Sequence, residues 1–234
     1  MKLALFLFVL SSSLSANSNF HPLSNFFIDR EEYCLSYDGR NKNPTWVYEC
    51  LTCDKLCGKS VRDSCQFKED SSLPKILRAT LSDYKNSGFD RGHLAPAANH
   101  KESDIAMADT FFLSNMCPQC PKLNRGCWAK LEKYTRDLTK EYSKVHVVSG
   151  PLYLPYTDTD GKRYVKYQVI GSNDVAVPTH FFKVILLENT RGAIKTEAYI
   201  LPNDNSLQNE ASLDQFKTTV QKVEKLAGIL FSSK

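Results

Sequence analysis

The alternation of apolar and polar residues predicts most of the strands in this chain. Two segments of strand character lie within YCLSYDGRNKNPTWVYECLT (residues 33–52), on either side of a turn predicted at Asp38, Gly39 and Pro44. Four later apolar segments are also typical of strands: VHVVSGPLYL (145–154, interrupted at Gly150 and Pro151), KRYVKYQVI (162–170), THFFKVILLE (179–188) and GAIKTEAYIL (192–201). Residues 66–88 are polar and irregular and are predicted to be mostly loop.

Helical periodicity is strongest in NRGCWAKLEKYTRDLTKEYSK (124–144). Its apolar positions recur every three or four residues, at Trp128, Leu131, Tyr134, Leu138 and Tyr142. A second helix is predicted over residues 212–231 with Ser212 as its cap, and a short one within SDIAMAD (103–109). Strands, a helix, more strands and a final helix predict an α+β domain built on a largely antiparallel sheet.

The first residues have the layout of a secretory signal peptide. One positive charge at Lys2 precedes an apolar run over residues 3–10, and small and polar residues that include Ala16 follow. The run is too short to span a bilayer. We therefore expect a signal peptide over residues 1–16, a mobile segment over 17–32 and a single domain over 33–234. The mature protein would then be secreted or held in a secretory vesicle, without a membrane anchor; a buried N-terminal strand is the alternative.

Eight cysteines follow this leader, at positions 34, 50, 53, 57, 65, 117, 120 and 127. An even number behind a signal peptide predicts disulfides formed in an oxidising compartment. The pairs CLTC (50–53) and CPQC (117–120) also have the spacing of a four-thiolate zinc site, which is the alternative.

Composition narrows the function only a little. A hydrophobic fraction of 42% and a charged fraction of 24% are ordinary for a globular protein and argue against disorder. The net charge of +4 is a weak indication of nucleic-acid binding, because dedicated DNA-binding domains are usually more basic.

The chemistry is concentrated in FDRGHLAPAANH (89–100) and the helix that follows it. His93 follows Asp90, Arg91 and Gly92, and Asn124 precedes a helix that carries Glu132 and Arg136 one turn apart. These residue types suit phosphodiester hydrolysis. A neutral imidazole can take a proton from water, and an arginine can neutralise phosphoryl oxygens. A hydrated Mg²⁺ needs few protein oxygens, and a glutamate can hold one of its waters.

FDRGHLAPAANH, DTFFLSNMCPQ and LNRGCWAKLEKYTR together resemble the DNA/RNA non-specific endonucleases. The resemblance also includes SYDGRNKNPTWVYECLT, VVSGPLYLP and VKYQVIGSNDVAVPTHFFKVIL, and it extends over most of residues 33–231. It implies a ββα-metal (His-Me finger) nuclease fold within the α+β domain. It also implies an enzyme that cuts DNA and RNA to 5′-phosphate and 3′-hydroxyl ends and that is commonly a homodimer.

The resemblance assigns roles by position. It makes His93 the general base and Asn124 the ligand of Mg²⁺, or of Mn²⁺ in its place. Glu132 would support the water shell of the metal, Arg136 would be the basic residue one turn later, and Asn115 would lie near the active centre. Substrate would be gripped by its backbone phosphates, which carry no base identity.

Two cations are the candidates for that grip, Arg91 beside His93 and Lys130 on the helix. Asp90 and Arg91 are expected chiefly to brace the loop, and His100, His146 and His180 to be structural. Pro96 and the eight cysteines depart from the pattern of the family. Three alternatives stay open: a nuclease-like module that binds nucleic acid without cutting, a stapled extracellular interaction protein, and a nuclease of the mitochondrial intermembrane space.

Overall fold

A seven-stranded antiparallel sheet forms the centre of the molecule, in a computed structural model that describes residues 25–207 and 211–231. Its strands are, in spatial order, β1 (Asn25–Asp29), β2 (Tyr33–Asp38), β3 (Asn43–Leu51), β6 (Lys144–Leu152), β11 (His180–Glu188), β12 (Ile194–Pro202) and β13 (Lys217–Thr218). The α+β class with a largely antiparallel sheet is therefore confirmed.

The central strands carry nearly continuous apolar runs because the sheet is covered on both faces. On β11, Phe181, Ile185 and Leu187 belong to the core cluster that includes Trp128 and other residues of the helical segments that follow β5. Phe182 and Val184 face the opposite side and pack with the C-terminal helix. Those helices are α4 (Ala129–Leu138) and α5 (Val220–Ala227).

A small hairpin beside this sheet carries the residues of interest. Strand β4 (Asp90–His93) pairs antiparallel with β5 (Met116–Gln119), and a helical segment, Leu123–Trp128, which is kinked at Gly126, leads into α4. Two strands followed by a helix form the predicted ββα unit. The remaining elements are short: α1 (Cys53–Leu56), α2 (Leu81–Tyr84), α3 (Asp104–Asp109), β7 (Tyr156–Thr157), β8 (Arg163–Tyr164), β9 (Val169–Ile170) and β10 (Val175–Ala176).

Two predicted strands differ in extent from the structure. Strand β6 continues through Gly150 and Pro151 to Leu152. It pairs there with β11 alone, since β3 ends its pairing at Ser149, and a proline is tolerated where a strand has one open side. The segment 162–170 is not one strand but forms only the short β8 and β9, because most of its residues are exposed and no sheet face buries them.

The predicted ends of the long helices also need correction. Helix α5 begins after Thr219, whose side chain accepts a hydrogen bond from the Lys222 amide, while Ser212 caps a separate 3₁₀ turn. Strand β13 separates the two because its residues pair with β12. Helix α4 ends at Leu138, so Tyr142 lies beyond it.

The predicted mobile segment 17–32 is also wrong for its last part. Residues Asn25–Asp29 form β1 and pair with β2 along their whole length. The buried Ile28 side chain belongs to the main core and holds this strand in place. Residues 17–24 and the predicted signal peptide lie outside the described residues. Within the described ranges, no helix is long and apolar enough to cross a membrane.

Candidate active site

A cleft of about 460 Å³ opens beside β4 and the start of α4. Its wall contains both charged and aromatic side chains. The lining residues are Arg62, Phe67, Tyr84, Phe89, Asp90, Arg91, His93, Pro96, Ala97, Ala98, Asn124, Arg125, Ala129 and Glu132. The cleft thus brings together His93, Asn124, Glu132 and Arg91, which are separated by up to 41 positions in the chain.

His93 is held in the wall of this cleft by aromatic packing. Its ring lies 5.6 Å from that of Phe67 and 5.2 Å from that of Phe111, centroid to centroid, and the side chain is only 9% exposed. Its Nε2 atom is itself buried and has no hydrogen-bond partner within the protein. Burial lowers the pKa of His93 to about 3, and the positive charge of Arg62 acts in the same direction. The imidazole is therefore neutral at physiological pH and offers a lone pair to a proton donor.

Asn124 is oriented by the acid of the Asp-Arg-Gly-His motif. Its Nδ2 atom donates to Asp90 Oδ2 at 2.8 Å, and Arg125 donates to both oxygens of the same carboxylate at 2.9 and 2.7 Å. An ionised carboxylate only accepts hydrogen bonds, so the amide nitrogen of Asn124 faces Asp90 and its Oδ1 atom is left for another partner. Asp90 therefore does brace the site, as expected.

The oxygens of Asn124 and Glu132 are chemically suited to a hard divalent cation. An amide oxygen and a carboxylate are the ligand types of Mg²⁺, which keeps most of its own waters in such sites. Within the described residues, no group of three or more His, Cys, Asp or Glu side chains is arranged to hold a metal. A sparse oxygen site fits this arrangement, whereas the alternative four-thiolate zinc site is not formed.

Burial and the neighbouring positive charges shift the pKa of Glu132, which lines the cleft, in opposite directions. Burial raises its pKa to about 7, although Lys183 and Arg136 favour the ionised form. A bound cation would add to the influence of these two bases and keep Glu132 ionised.

Three predicted site residues do not line the cleft. Asn115 is fully buried, where it accepts from the Ala95 amide at 2.9 Å and donates to the carbonyls of Ala95 and Thr110. It therefore fixes the backbone just after His93 and does not face substrate. Arg136 donates to Asn99 Oδ1 at 3.0 Å, and Lys130 is exposed next to the cleft residue Ala129.

The sequence reasoning missed Arg62 and Phe67. Arg62 lies in a 3₁₀ turn 31 positions before His93, and Phe67 supports the guanidinium of Arg91, whose Cζ atom lies 4.3 Å from the ring centroid. Nothing in the local pattern distinguishes either residue from an ordinary loop cation or core aromatic. They reach the cleft only because the loop that carries them folds back towards β4.

None of the eight cysteines, all of which lie in the described residues, is in a disulfide in the structure. Cys117, Cys120 and Cys127, which flank the segment that carries Asn124, are buried. Cys120 donates its thiol hydrogen to the Asn203 carbonyl at 3.3 Å. The structure therefore has no disulfide beside the segment that carries Asn124.

Comparison with known proteins gives consistent results. Residues 10–234 match the family model described as DNA/RNA non-specific endonuclease. The chain is 51% identical to human mitochondrial endonuclease G over 202 residues, which is 86% of this chain and 68% of that protein. It is 46% identical to nuclease C1 of Cunninghamella echinulata var. echinulata, over 89% of this chain and 83% of the other. A crystal structure of the EndoG/EndoGI complex superposes with a TM-score of 0.87 at 44% identity, over 90% of this chain and 87% of that one.

Proposed function

We propose a mechanism for the endonuclease reaction of this chain, which belongs to the DNA/RNA non-specific endonuclease family. The observation that carries the proposal is the neutral imidazole of His93 in the wall of a cationic cleft. A neutral imidazole keeps a lone pair on one of its two ring nitrogens. A water molecule between His93 and a bound phosphodiester would donate its proton there.

The reaction then follows from the residues around the cleft. Arg91 and Arg62 bind the non-bridging oxygens of one phosphate and draw negative charge from them. His93 takes a proton from the water as its oxygen bonds to phosphorus, and the bond from phosphorus to the 3′ oxygen breaks. The 3′ oxygen gains a proton from solvent, which leaves 5′-phosphate and 3′-hydroxyl ends. Because these contacts reach phosphates and not base edges, both DNA and RNA are substrates.

Asn124 Oδ1 would ligate the divalent cation, and Glu132 would hold one of its waters. We infer Mg²⁺, with Mn²⁺ as a substitute, from the oxygen character of these groups. The cation, when bound, supplies positive charge to the phosphoryl oxygens and the leaving 3′ oxygen. Asp90 contributes by turning the amide of Asn124 so that its oxygen is presented.

Cleavage of plasmid DNA and of RNA by the wild type and by His93→Ala tests this assignment, with Mg²⁺ or with EDTA present. Losing a general base typically slows a reaction by ~10²–10⁴-fold, so the mutant should cut far more slowly in Mg²⁺. EDTA should stop the wild type. A folded wild type that binds nucleic acid in Mg²⁺ yet never cuts it would favour the binding-module alternative. Wild-type rates in His93→Ala, after a contaminating nuclease is excluded, would contradict the role of His93.

The compartment and the disulfides belong to the same proposal. The leader supports entry into the secretory pathway, where cysteines can pair as disulfides, whereas the human relative is described as mitochondrial. A fluorescent fusion of residues 1–30 distinguishes secretion from the mitochondrial intermembrane space. Thiol counting by mass spectrometry on the secreted protein tests the disulfides, because eight free thiols would contradict them.

We also infer a homodimer. Apolar side chains are exposed on one stretch of chain between Tyr156 and Val169, which supports an association surface. They are Tyr156, Tyr164, Val165, Tyr167 and Val169. Sedimentation equilibrium measures the state directly, and a monomer at micromolar concentration would contradict the inference.

A further inference from the structure

A buried polar cluster lies behind the cleft, between the sheet and α4. Glu49 on β3 is 2% exposed, and its two carboxylate oxygens each accept from Asn99 Nδ2 at 3.0 Å. One of these oxygens also contacts His100 Nε2 at 2.9 Å. Asn99 in turn accepts from Arg136 Nη1 through its Oδ1 atom at 3.0 Å. The order is therefore Glu49, Asn99, Arg136, from the sheet to the helix.

The direction of these bonds is fixed by Glu49. An ionised carboxylate cannot donate, so it requires the amide nitrogen of Asn99, and the amide oxygen is left facing Arg136. A guanidinium cannot accept, so Arg136 requires that same orientation. The Asn99 amide thus donates to Glu49 on one side and accepts from Arg136 on the other. Only one orientation of the amide allows both hydrogen bonds.

A second buried charged residue lies close to Glu49. Lys183 on β11 is fully buried, donates to Ser149 Oγ at 2.5 Å and lies 4.6 Å from the centroid of the Trp128 ring. Its positive charge acts on both Glu49 and Glu132. The sheet therefore places an acid and a base below the helix that carries Glu132.

The cluster also holds the rim of the cleft. Asn99 ends the 3₁₀ turn Ala97–Asn99, and Ala97 and Ala98 line the cleft opposite α4. Trp128, which contacts Lys183, donates its indole hydrogen to the carbonyl of His93 at 3.1 Å. The turn after His93, the backbone of His93 and Arg136 are thus all tied to the same buried charges.

We propose that Glu49 is a positioning residue for the nuclease reaction, an inference that rests on the proposed function. Through Asn99, it holds Arg136 and the 97–100 turn in register with the helix that presents Glu132 to the cleft. Neither Glu49 nor Asn99 touches the cleft itself among the described residues that line it, so each acts only by placing other groups.

A swap of donor and acceptor tests this role. Asn99→Asp sets two carboxylates against each other, and Glu49→Gln removes the charge that fixes the amide. Either change should lower kcat by about 10–100-fold, the usual effect of losing a partner that orients an active-site group, with a smaller effect on KM. The double variant Glu49→Gln/Asn99→Asp restores one donor and one acceptor in reversed order. The carboxylate introduced at position 99 would then accept from both Arg136 and the amide introduced at position 49, so most of the wild-type kcat should return.

Asn43→Ala is the matched control. Asn43 is also a buried asparagine at the sheet, and its Nδ2 donates to Tyr153 Oη at 2.8 Å and to the Ala176 carbonyl at 2.7 Å, away from the cleft. It should lower the melting temperature and leave kcat unchanged. Melting temperatures of all variants distinguish a loss of stability from a displacement of Arg136 and the 97–100 turn.

The outcomes are distinct. The inference would be overturned if the single variants have lower melting temperatures, as expected for Asn43→Ala, but keep the wild-type kcat. The nuclease assignment would then stay intact. A double variant that melts like the wild type and stays slow would also overturn the inference. A folded wild type that does not cut nucleic acid would overturn both the proposed function and this inference.

Discussion

Two asparagines near the cleft have their amide groups oriented by acids. Asp90 fixes Asn124, and Glu49 fixes Asn99, in each case because a carboxylate can only accept. Exchange of the nitrogen and oxygen of either amide would leave two acceptors in contact, at a cost of about 1–3 kcal/mol for the buried pair. The two acids, and not the asparagines themselves, therefore determine how each side-chain amide is turned.

Asp90→Asn should weaken divalent-metal binding. The new amide can donate as well as accept, so it no longer fixes which atom of Asn124 faces the cleft. Loss of such an outer partner typically costs about 10–100-fold in metal affinity or activity, and the Mg²⁺ concentration for half-maximal cutting should rise accordingly. A Mg²⁺ titration of plasmid cleavage measures it.

Arg125→Ala serves as the control for that titration. Its guanidinium pairs with the same carboxylate, but its side chain is 73% exposed, and exposed ion pairs contribute little because solvent screens them. The Mg²⁺ dependence should change little. If Arg125→Ala lowers the Mg²⁺ requirement by about as much as Asp90→Asn raises it, the net charge near the site matters more than the orientation of Asn124.

The residues of the motif were predictable from sequence, and those supplied by distant loops were not. His93, Asn124 and Glu132 lie in blocks that resemble the family, and the structure places all three at one cleft. Glu49 sits in the middle of a strand pattern, where an acid at a buried position has no signal except its mismatch with the apolar residues around it. Its partners Asn99 and His100 are about 50 positions away, so only the fold reveals them.

At the scale of elements, the β4–β5 hairpin depends on a missing side chain. Gly92 lies between Arg91 and His93, and a Cβ atom there would come within 2.0 Å of Gln119 Oε1 and 2.4 Å of its Cγ. Gln119 is fully buried, so its side chain has no free space to enter. The glycine lets the two strands bring His93 up to the cleft.

Gly92→Ala should therefore reduce cutting and stability together. The added methyl forces Gln119 or β4 to move, and overpacking of this kind typically costs about 1–3 kcal/mol. Gln119→Ala in the same chain removes the obstruction and should recover part of both losses. Cleavage rates and urea unfolding of the two single variants and the double variant measure this.

A double variant no better than Gly92→Ala would mean that the backbone itself, and not contact with Gln119, requires glycine at position 92. The family resemblance implied the ββα unit, but the local pattern did not identify its two strands, because DRGH and MCPQ lack the alternation of a half-buried strand. Their pairing is set by packing against α4 and the large sheet, which the local pattern does not record.

For the whole molecule, buried ionisable groups couple stability to pH in opposite directions. Burial acts to raise the pKa of Asp70, but hydrogen bonds from Ser114 and Ser72 and the charge of Arg30 together outweigh it and lower that pKa. The stabilising contribution of Asp70 is present at neutral pH and is lost as the pH falls through the folded-state pKa. Glu132, whose pKa is raised to about 7 by burial, acts the other way and favours the folded state below neutral pH.

His93 should make a separate contribution that a single substitution can isolate. In the unfolded chain, its pKa is near 6.5, whereas burial lowers the folded-state pKa to about 3. Between these values the unfolded state binds one more proton than the folded state, so stability falls as the pH is lowered from 6.5 towards 3. The slope is up to ~1.4 kcal/mol per pH unit for this one group.

Urea unfolding of the wild type and of His93→Asn at pH ~7, ~5.5 and ~4.5, on either side of the ordinary histidine pKa, tests this contribution. The variant lacks the titrating ring but retains Asp70 and Glu132, so their effects cancel in the comparison. The wild type should lose more stability than the variant over this range, and the difference should widen as the pH falls. Parallel curves would mean that His93 takes up its proton in the folded state at an ordinary pKa. The base would then be charged in mildly acidic solution, and cutting would fail there because a protonated imidazole cannot accept a proton from water.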